Sequence, residues 1–385
     1  MTSRAAIAGL GMTALGKVYG KTATEFADEA VVLAVRDAGL DLSEVDGLLV
    51  NAGAMKNVNL TLQKKLGLRD LRFGAEVQSF GSSAGVMVQM AAMAIQEGRA
   101  SVVACVFADD PLVEGTSSGG TYAGRRPASV GLDGMPFATG LRGAPTAYAL
   151  AARRHMGVYG TTAEDLAAVA VSTRSWATLN PQAQLRKPMT VDDHLSSRMI
   201  SDPFRLFDCC LVSNGAIAVI VTSAERARDL AQPPVYVRGF GQSHPGYPQD
   251  ARSTFGLESG AKASGQQALE MADVSIDDIS IAEIYDCFTF TTLISVEDYG
   301  FCKKGEAGDF FRSGAAAPGG SLPVNTGGGQ LSSYYMWGMT PLSEGVIQAR
   351  GQGGDRQVEK NDLVLVSGNG GALEYHSTLV LGNQA

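Results

Sequence analysis

The sequence predicts a layered α/β fold made of two similar halves, and three observations carry the prediction. Near the N-terminus an apolar run, an amphipathic segment and a second apolar run have the spacing of a strand, a helix and a strand. Roughly 230 residues later the same order returns, with Val274-Ser275-Ile276-Asp277-Asp278 matching Leu40-Asp41-Leu42-Ser43-Glu44. Between the copies, Ala231-Gln232-Pro233-Pro234 breaks regular structure, because consecutive prolines fix φ and remove amide donors. The expected halves are therefore residues 1–230 and 231–385, with an insertion at about 110–200 in the first.

Arg4 to Leu10 reads as a buried strand, Thr24 to Ala38 as a helix and Val45 to Val50 as the second strand of a βαβ unit. Ala84 to Gln96 is an apolar helix, Ser101 to Phe107 a β-rich strand, and Ala216 to Thr222 the strand that ends the first half. Residues 110–142 are rich in Gly, Ser and Pro without periodicity, the mark of a functional loop. Helices at Ala144 to Met156 and Thr162 to Ala177 follow, and the whole insertion is expected to lie over the first half as a lid or substrate wall. The second half adds a helix at Gln266 to Ala272 and a strand at Ile281 to Ile284. Helices near Thr291 to Tyr299 and Ser343 to Arg350, and strands at Leu363 to Val366 and Ser377 to Leu381, complete it.

Composition narrows the class. With 385 residues, 45% hydrophobic and 18% charged, the chain can bury a large core. A net charge of −8 argues against nucleic acid as the main partner. No apolar run approaches the ~18 residues of a membrane span. Five cysteines without CxxC spacing, and no apolar leader after Met1, fit a reducing cytoplasm. No metal site is expected, since none of the four histidines joins a HExxH or Cys/His cluster. Cys209-Cys210 reads as packing, and His376 as a surface or structural residue in a loop after Gly370-Gly371. Gly9-Leu10-Gly11 imitates a dinucleotide fingerprint, but a loop at Lys17 to Lys21 separates it from the next helix, so nicotinamide or flavin dinucleotide binding is not expected.

The motifs that carry chemistry lie in the second half. The run Ala282-Glu283-Ile284-Tyr285-Asp286-Cys287-Phe288, the stretch Asp298 to Glu306, the Leu322-Pro323-Val324-Asn325 approach to Gly327-Gly328-Gly329, and the duplicated halves together resemble the sterol-carrier-type thiolases and their thiolase-like relatives. The resemblance spans nearly the whole chain and implies a thiolase fold, two duplicated βαβαβ-type halves stacked as αβαβα layers.

Departures from the family pattern are as informative. Thiolases use a nucleophilic cysteine at the N-terminus of a buried helix, and Gly81 stands at that position. The neighbouring Ser82 and Ser83 read as helix caps. The histidine that follows Asn-x-x-Gly-Gly in the family is replaced by Tyr335, Tyr285 opens the third motif, and Ser367-Gly368-Asn369-Gly370-Gly371 lacks the second cysteine. Two tyrosines at these positions with glycine in place of the nucleophile are similar to aldolases that shorten steroid side chains.

That resemblance implies retro-aldol cleavage of a 3-hydroxyacyl-CoA to a ketone or aldehyde and a shorter acyl-CoA. Tyr285 and Tyr335 are then the candidates for base and acid in either assignment, with Tyr285 favoured as the base facing the alcohol, and Asp286 is an orienting or water-holding group. One phenol is expected to be tuned below its usual pKa of ~10 to act near neutrality. Backbone amides near Gly81, Ser82, Gly370 and Gly371 are candidate donors to the thioester oxygen. The coenzyme A thioester is substrate and no cofactor is expected. A homodimer and an OB-fold/zinc-ribbon partner protein are also implied. Two alternatives stay open, a Claisen-type thiolase or acyltransferase and a non-catalytic acyl-CoA- or lipid-binding subunit.

Overall fold

The computed structural model describes residues 5–51, 53, 57–118, 121, 138–141, 143–247 and 252–385. Most of the predicted loop at 110–142 lies outside the described residues, and with it the bulk of the expected substrate wall.

The first half contains β1 (Ala5–Met12), α1 (Ala23–Ala38), β2 (Gly47–Asn51), the one-turn α2 (Leu62–Lys65), β3 (Phe73–Glu76), α3 (Ser83–Gln96) and β4 (Val102–Asp109). The insertion supplies α4 (Ala144–Tyr159), α5 (Ala163–Leu179), α6 (Val191–Leu195) and the small β5 (Met199–Ser201) and β6 (Phe204–Arg205). The first half closes with β7 (Gly215–Ser223) and α7 (Ala224–Ala227). The second half contains β8 (Val235–Ser243), α8 (Ala261–Ala272), β9 (Ile281–Ile284), α9 (Thr289–Tyr299), α10 (Ala307–Arg312), α11 (Met339–Ala349), β10 (Leu363–Gly370) and β11 (Tyr375–Gly382). The strand β8, directly after the two prolines, is one that the sequence reading does not predict.

The strands line up as β3-β2-β4-β7-β1-β8-β11-β10-β9, five from the first half and four from the second. The halves join where β1 and β8 pair antiparallel, at Ala6↔Tyr236 and Ile7↔Val235. Helix α1 packs on β1, β7 and β4, and α8 packs on β8 and β11. Helices α3 and α11 each touch strands of both halves, so they form the shared middle layer of an αβαβα stack. Burying both faces explains why β4 and β7 read as continuous apolar runs rather than alternating ones.

Duplication reaches the local chemistry. Thr22 and Glu25 cap α1 reciprocally, and Gly39 ends it in the left-handed conformation. The matched sequences form equivalent single 3-10 turns, Leu42–Glu44 and Ile276–Asp278, each closed by a reciprocal cap and each leading into a strand. The Gly9/Gly11 pair lets β1 approach the backbone of α1 at Ala34 and Ala30, which a Cβ would overlap. Gly239 and Gly241 repeat the device on β8 against Ala268 and Ser264 of α8. The dinucleotide-like glycines thus serve close packing of helix on strand.

The described helices of the insertion pack chiefly on the second half rather than, as expected, over the first. Helix α5 packs on α9, α10 and the turn before α11, all in the second half. Trp176 Nε1 donates to Ala316 O at 2.8 Å, Arg174 Nε to Ser332 Oγ at 2.8 Å, and Asn180 Nδ2 to Gly327 O at 2.8 Å. In α4, His155 meets Glu297 of α9 at 2.9 Å in a fully buried contact. Burying these polar groups is tolerable only because each finds its partner on the second half.

Candidate active site

Strand β9 ends at Ile284, and the next residue, Tyr285, turns its side chain into the core, where it is 3% exposed. Its amide donates to Ser367 O of β10 at 3.1 Å, fixing the direction of departure. Fifty residues on, Tyr335 follows a π-helical turn at Gly329–Ser333. The two phenol oxygens lie 3.2 Å apart, so the two predicted tyrosines share a hydrogen bond. Tyr334 faces away, its hydroxyl 3.3 Å from Ser343 Oγ, which settles the register of this pair.

Asp286 holds the turn rather than the phenols. Its two carboxylate oxygens accept from Gln330 N at 2.8 Å and Leu331 N at 3.3 Å. Gly329, with φ +54°, brings the backbone so close that a Cβ there would overlap the Asp286 carboxylate. Burial pushes the Asp286 carboxyl up to about 7, against the amide donors that favour its charged form. Behind it, Asn325 Oδ1 accepts from Ile284 N at 2.7 Å, and Thr326 bonds Glu283 at 2.6 Å. Glu283 is itself buried, and desolvation with the facing Glu344 raises its carboxyl well above the usual range. Arg356, 2.8 Å from Glu344, is the cation at the end of this chain. Asp286 therefore fixes the backbone of the turn that leads to Tyr335.

The expectation of a lowered phenol pKa is overturned. Burial, then the neighbouring phenol and Cys287, raises Tyr285 well above 10. Burial, then Cys210 and Cys287, does the same to Tyr335. Burial and these thiol and phenol neighbours are the largest influences on both groups, and they favour the neutral hydroxyl form.

Gly81 lies directly against this pair. A Cβ at that position would overlap the ring of Tyr285 and the carbonyl oxygen of Asn369. The tyrosine ring occupies the room that a cysteine side chain would need, so Gly81 and Tyr285 are a matched pair. Ser82 has neither donor free, since its amide and hydroxyl both donate to Ser79 O, at 3.1 and 2.9 Å. Nor do Ser82 and Ser83 cap α3: no side-chain cap bond forms there, and Ser83 Oγ accepts from Ser79 N at 2.8 Å instead. Gly370 ends β10 against Ser79, Phe80 and Gly81, so its backbone reaches the site, whereas Gly371 with φ +59° makes the turn toward Tyr375.

Several residues at the site escaped the sequence reading. Tyr148 of α4 reaches across to Asn369 Oδ1 at 3.0 Å and packs its ring tilted against Phe288, centroids 4.9 Å apart. Cys287 and Cys210 adjoin the phenols, and burial raises both thiols. Cys210 does pack, as expected, but its amide donates to Cys287 O at 3.0 Å, which puts it beside the reacting groups. His376 is neither exposed nor in a loop: it pairs opposite Asn369 in β11, bonded to Tyr299 and Ser367 at 3.1 and 3.0 Å. Burial pushes its imidazole down to about 3, so it is a neutral core residue. Arg153 and Arg154 of α4 are engaged by Asp202 and by Phe255 O.

Comparison with known proteins agrees with this geometry. Residues 241–383 match the family model described as "Thiolase C-terminal domain-like". The chain is 38% identical over 377 residues to the steroid side-chain-cleaving aldolase of Thermomonospora curvata, covering 95% of each. It is 36% identical over 384 residues to the 17-hydroxy-3-oxo-4-pregnene-20-carboxyl-CoA lyase of Mycobacterium tuberculosis, covering 96% of this chain and 97% of the relative. The solved Ltp2-ChsH2(DUF35) aldolase superposes with a TM-score of 0.88 at 36% identity, covering 99% of this chain and 98% of that one. With the fold, the paired tyrosines and the full-length relatives in agreement, the chain belongs to the thiolase-like family, in its branch of steroid side-chain-cleaving aldolases.

Proposed function

We propose that the chain cleaves the C2–C3 bond of a 3-hydroxyacyl-CoA, releasing a ketone or aldehyde and a shorter acyl-CoA, with steroid side-chain degradation as its setting. The observation that carries this reading is the Tyr285–Tyr335 phenol pair, 3.2 Å apart, beside a residue too small to be a nucleophile. An acyl-enzyme has no atom to form on at Gly81, and Ser82 and Ser83 direct their hydroxyls to their own turn. That favours lysis over Claisen-type acyl transfer.

Neutral phenols suit a relay better than a phenolate base. The substrate hydroxyl gives its proton to the Tyr285 oxygen as Tyr285 passes its own to Tyr335. In the same step the C2–C3 electron pair shifts toward the thioester with enolate character and Tyr335 releases its own proton to C2, so neither phenol ever carries two protons. The hydroxyl carbon becomes a carbonyl, and both tyrosines end as they began. High phenol pKa values keep both protons in place until the substrate arrives. No cofactor enters this balance, and the coenzyme A thioester is the substrate. Amides of the Gly81 and Gly370 segments, which meet here, are the candidate backbone donors to the developing oxyanion.

For partners we propose a homodimer and an OB-fold/zinc-ribbon protein, the latter supported by the two components named in the solved Ltp2-ChsH2(DUF35) aldolase. Among the described residues no helix is long and apolar enough to cross a membrane. The proposed site of action is the cytoplasm.

The test is to co-express the chain with the products of neighbouring genes and supply branched 3-hydroxyacyl-CoAs, including steroidal ones, while watching for acyl-CoA and carbonyl products. Cleavage that persists unaltered in both Tyr285→Phe and Tyr335→Phe overturns the reading. Tight acyl-CoA binding without turnover, partner present, would identify a binding subunit instead.

A further inference from the structure

We infer that Asn369 is a further catalytic residue, its side-chain amide donating to the thioester oxygen as negative charge builds there. The inference rests on the lyase reading above and names a donor that reading leaves to backbone alone.

Asn369 is fully buried near the end of β10. Its Oδ1 accepts from the Tyr148 hydroxyl at 3.0 Å, across 221 residues of sequence. Its Nδ2 is buried and has no hydrogen-bond partner among the described residues. A buried donor left unmatched is costly, so such groups in folded proteins generally have a use. This one sits beside the reacting groups. Asn369 O abuts Gly81 together with the Tyr285 ring, and the Tyr148 phenol, bonded to the Asn369 amide, is near enough to Cys287 and Tyr335 for both to raise its pKa, behind burial. Tyr148 also fixes which way the amide faces. With Oδ1 held by the phenol, the NH2 end is presented away from it, as a donor without a proton to lose.

The chemistry has one place for such a group. The tyrosines move protons, so they serve the hydroxyl and C2. The thioester oxygen gains charge without being protonated and needs a donor that keeps its hydrogen. Ser82 does not qualify, because both its donors are held by Ser79. Asn369 thus completes a division of labour in which Tyr148, touching no reacting atom, is a positioning residue.

The experiment compares wild type, Asn369→Asp and Tyr148→Phe, each in complex with whatever partner the active protein needs, in two assays. One is lysis of a 3-hydroxyacyl-CoA. The other is exchange of the C2 protons of acetyl-CoA and propionyl-CoA with deuterated water, which forms the same enolate without cleaving a carbon–carbon bond. Asn369→Asp keeps the acceptor for Tyr148 and removes the NH2. It should lower both rates roughly 10²–10³-fold, the loss typical of one oxyanion donor. Both should recover partly on acidification, as the buried carboxyl takes up a proton and becomes a donor. Tyr148→Phe should lower kcat more than it changes KM, and combining the two changes should cost less than the sum of their separate effects.

Unchanged exchange and lysis in Asn369→Asp, with melting temperature preserved, overturn the inference and leave the lyase reading standing. Equal loss at every pH points to a merely structural asparagine and also overturns it. If wild type exchanges C2 protons yet cleaves no 3-hydroxyacyl-CoA, the lyase reading fails while Asn369 is still judged by exchange. If wild type does neither, both fall.

Discussion

The two halves are copies in scaffold and opposites in chemistry. Each places a Gly-x-Gly strand against an outer helix, each uses a capped 3-10 turn to enter a strand, and each contributes one helix to the shared middle layer. The difference lies in what precedes the middle helix. Before α3, the Ser79–Ser82 turn contains Gly81 and no titratable side chain. Before α11, the Asn325–Tyr335 segment carries a π-helical turn fastened to Asp286 and ends on Tyr335. The second half thus brings both paired phenols, and the first brings room and backbone. A duplicated fold need not duplicate function, because packing constrains the strands and outer helices far more than the connecting turns.

Removing a phenol is the strongest way to break this comparison. Tyr285→Phe keeps the ring that fills the space at Gly81 and loses only the relay, so kcat should fall about 10²–10⁴-fold with little change in melting temperature. Tyr335→Phe should behave alike. A loss confined to one of them would mean that the two phenols do not act as a unit.

Asp286→Asn tests whether the second half's turn is held electrostatically. One amide oxygen replaces two carboxylate oxygens, so Tyr335 loosens, and kcat should drop by roughly 10-fold or more. Stability carries a sign as well. The folded carboxyl titrates near 7, above its ordinary 3.8, so the folded state holds this proton more tightly than the unfolded chain. That contribution is present below about pH 4 and is lost as pH rises through 7. Wild type should therefore lose stability relative to Asp286→Asn over that window in denaturant titrations at stepped pH.

Gly81→Cys asks whether the first half can be returned to a nucleophile. The new side chain meets the Tyr285 ring and the Asn369 backbone, so overpacking should cost about 1–3 kcal/mol and no acyl-protein should form with acyl-CoA, as read by mass. Adding Tyr285→Ala should recover part of the stability, since only the ring is relieved. An acyl adduct on the single variant would break the matched-pair argument.

The scaffold's symmetry is sharpened by the smallest effects. Gly9→Ala and Gly239→Ala each push a methyl into a helix carbonyl, and both should lower the melting point by similar amounts, on the order of 1–3 kcal/mol in stability. Neither should alter kcat of the folded enzyme. Unequal losses would show that one half carries more of the stability than the other.

Much of this was legible in the chain. Apolar periodicity located all the major helices and most strands, because burying both faces of a sheet demands runs that loops do not have. The repeated turn sequences exposed the duplication, and motif counting placed Tyr285, Tyr335 and Gly81 at one centre. The strand β8 was hidden because two prolines precede it and glycines interrupt it, features that lower strand propensity although the packing of α8 requires them.

By itself, then, the sequence determined the halves, the missing nucleophile and the two phenols, all properties of residue type at fixed spacing. Only the tertiary structure decided that α4 and α5 brace the second half, that Tyr148 meets Asn369, that Ser82 is already engaged, and that both phenols hold their protons. The reason is physical: partners far apart in sequence are chosen by how helices pack, and proton affinity is set by burial and neighbouring dipoles, neither of which spacing along a chain records.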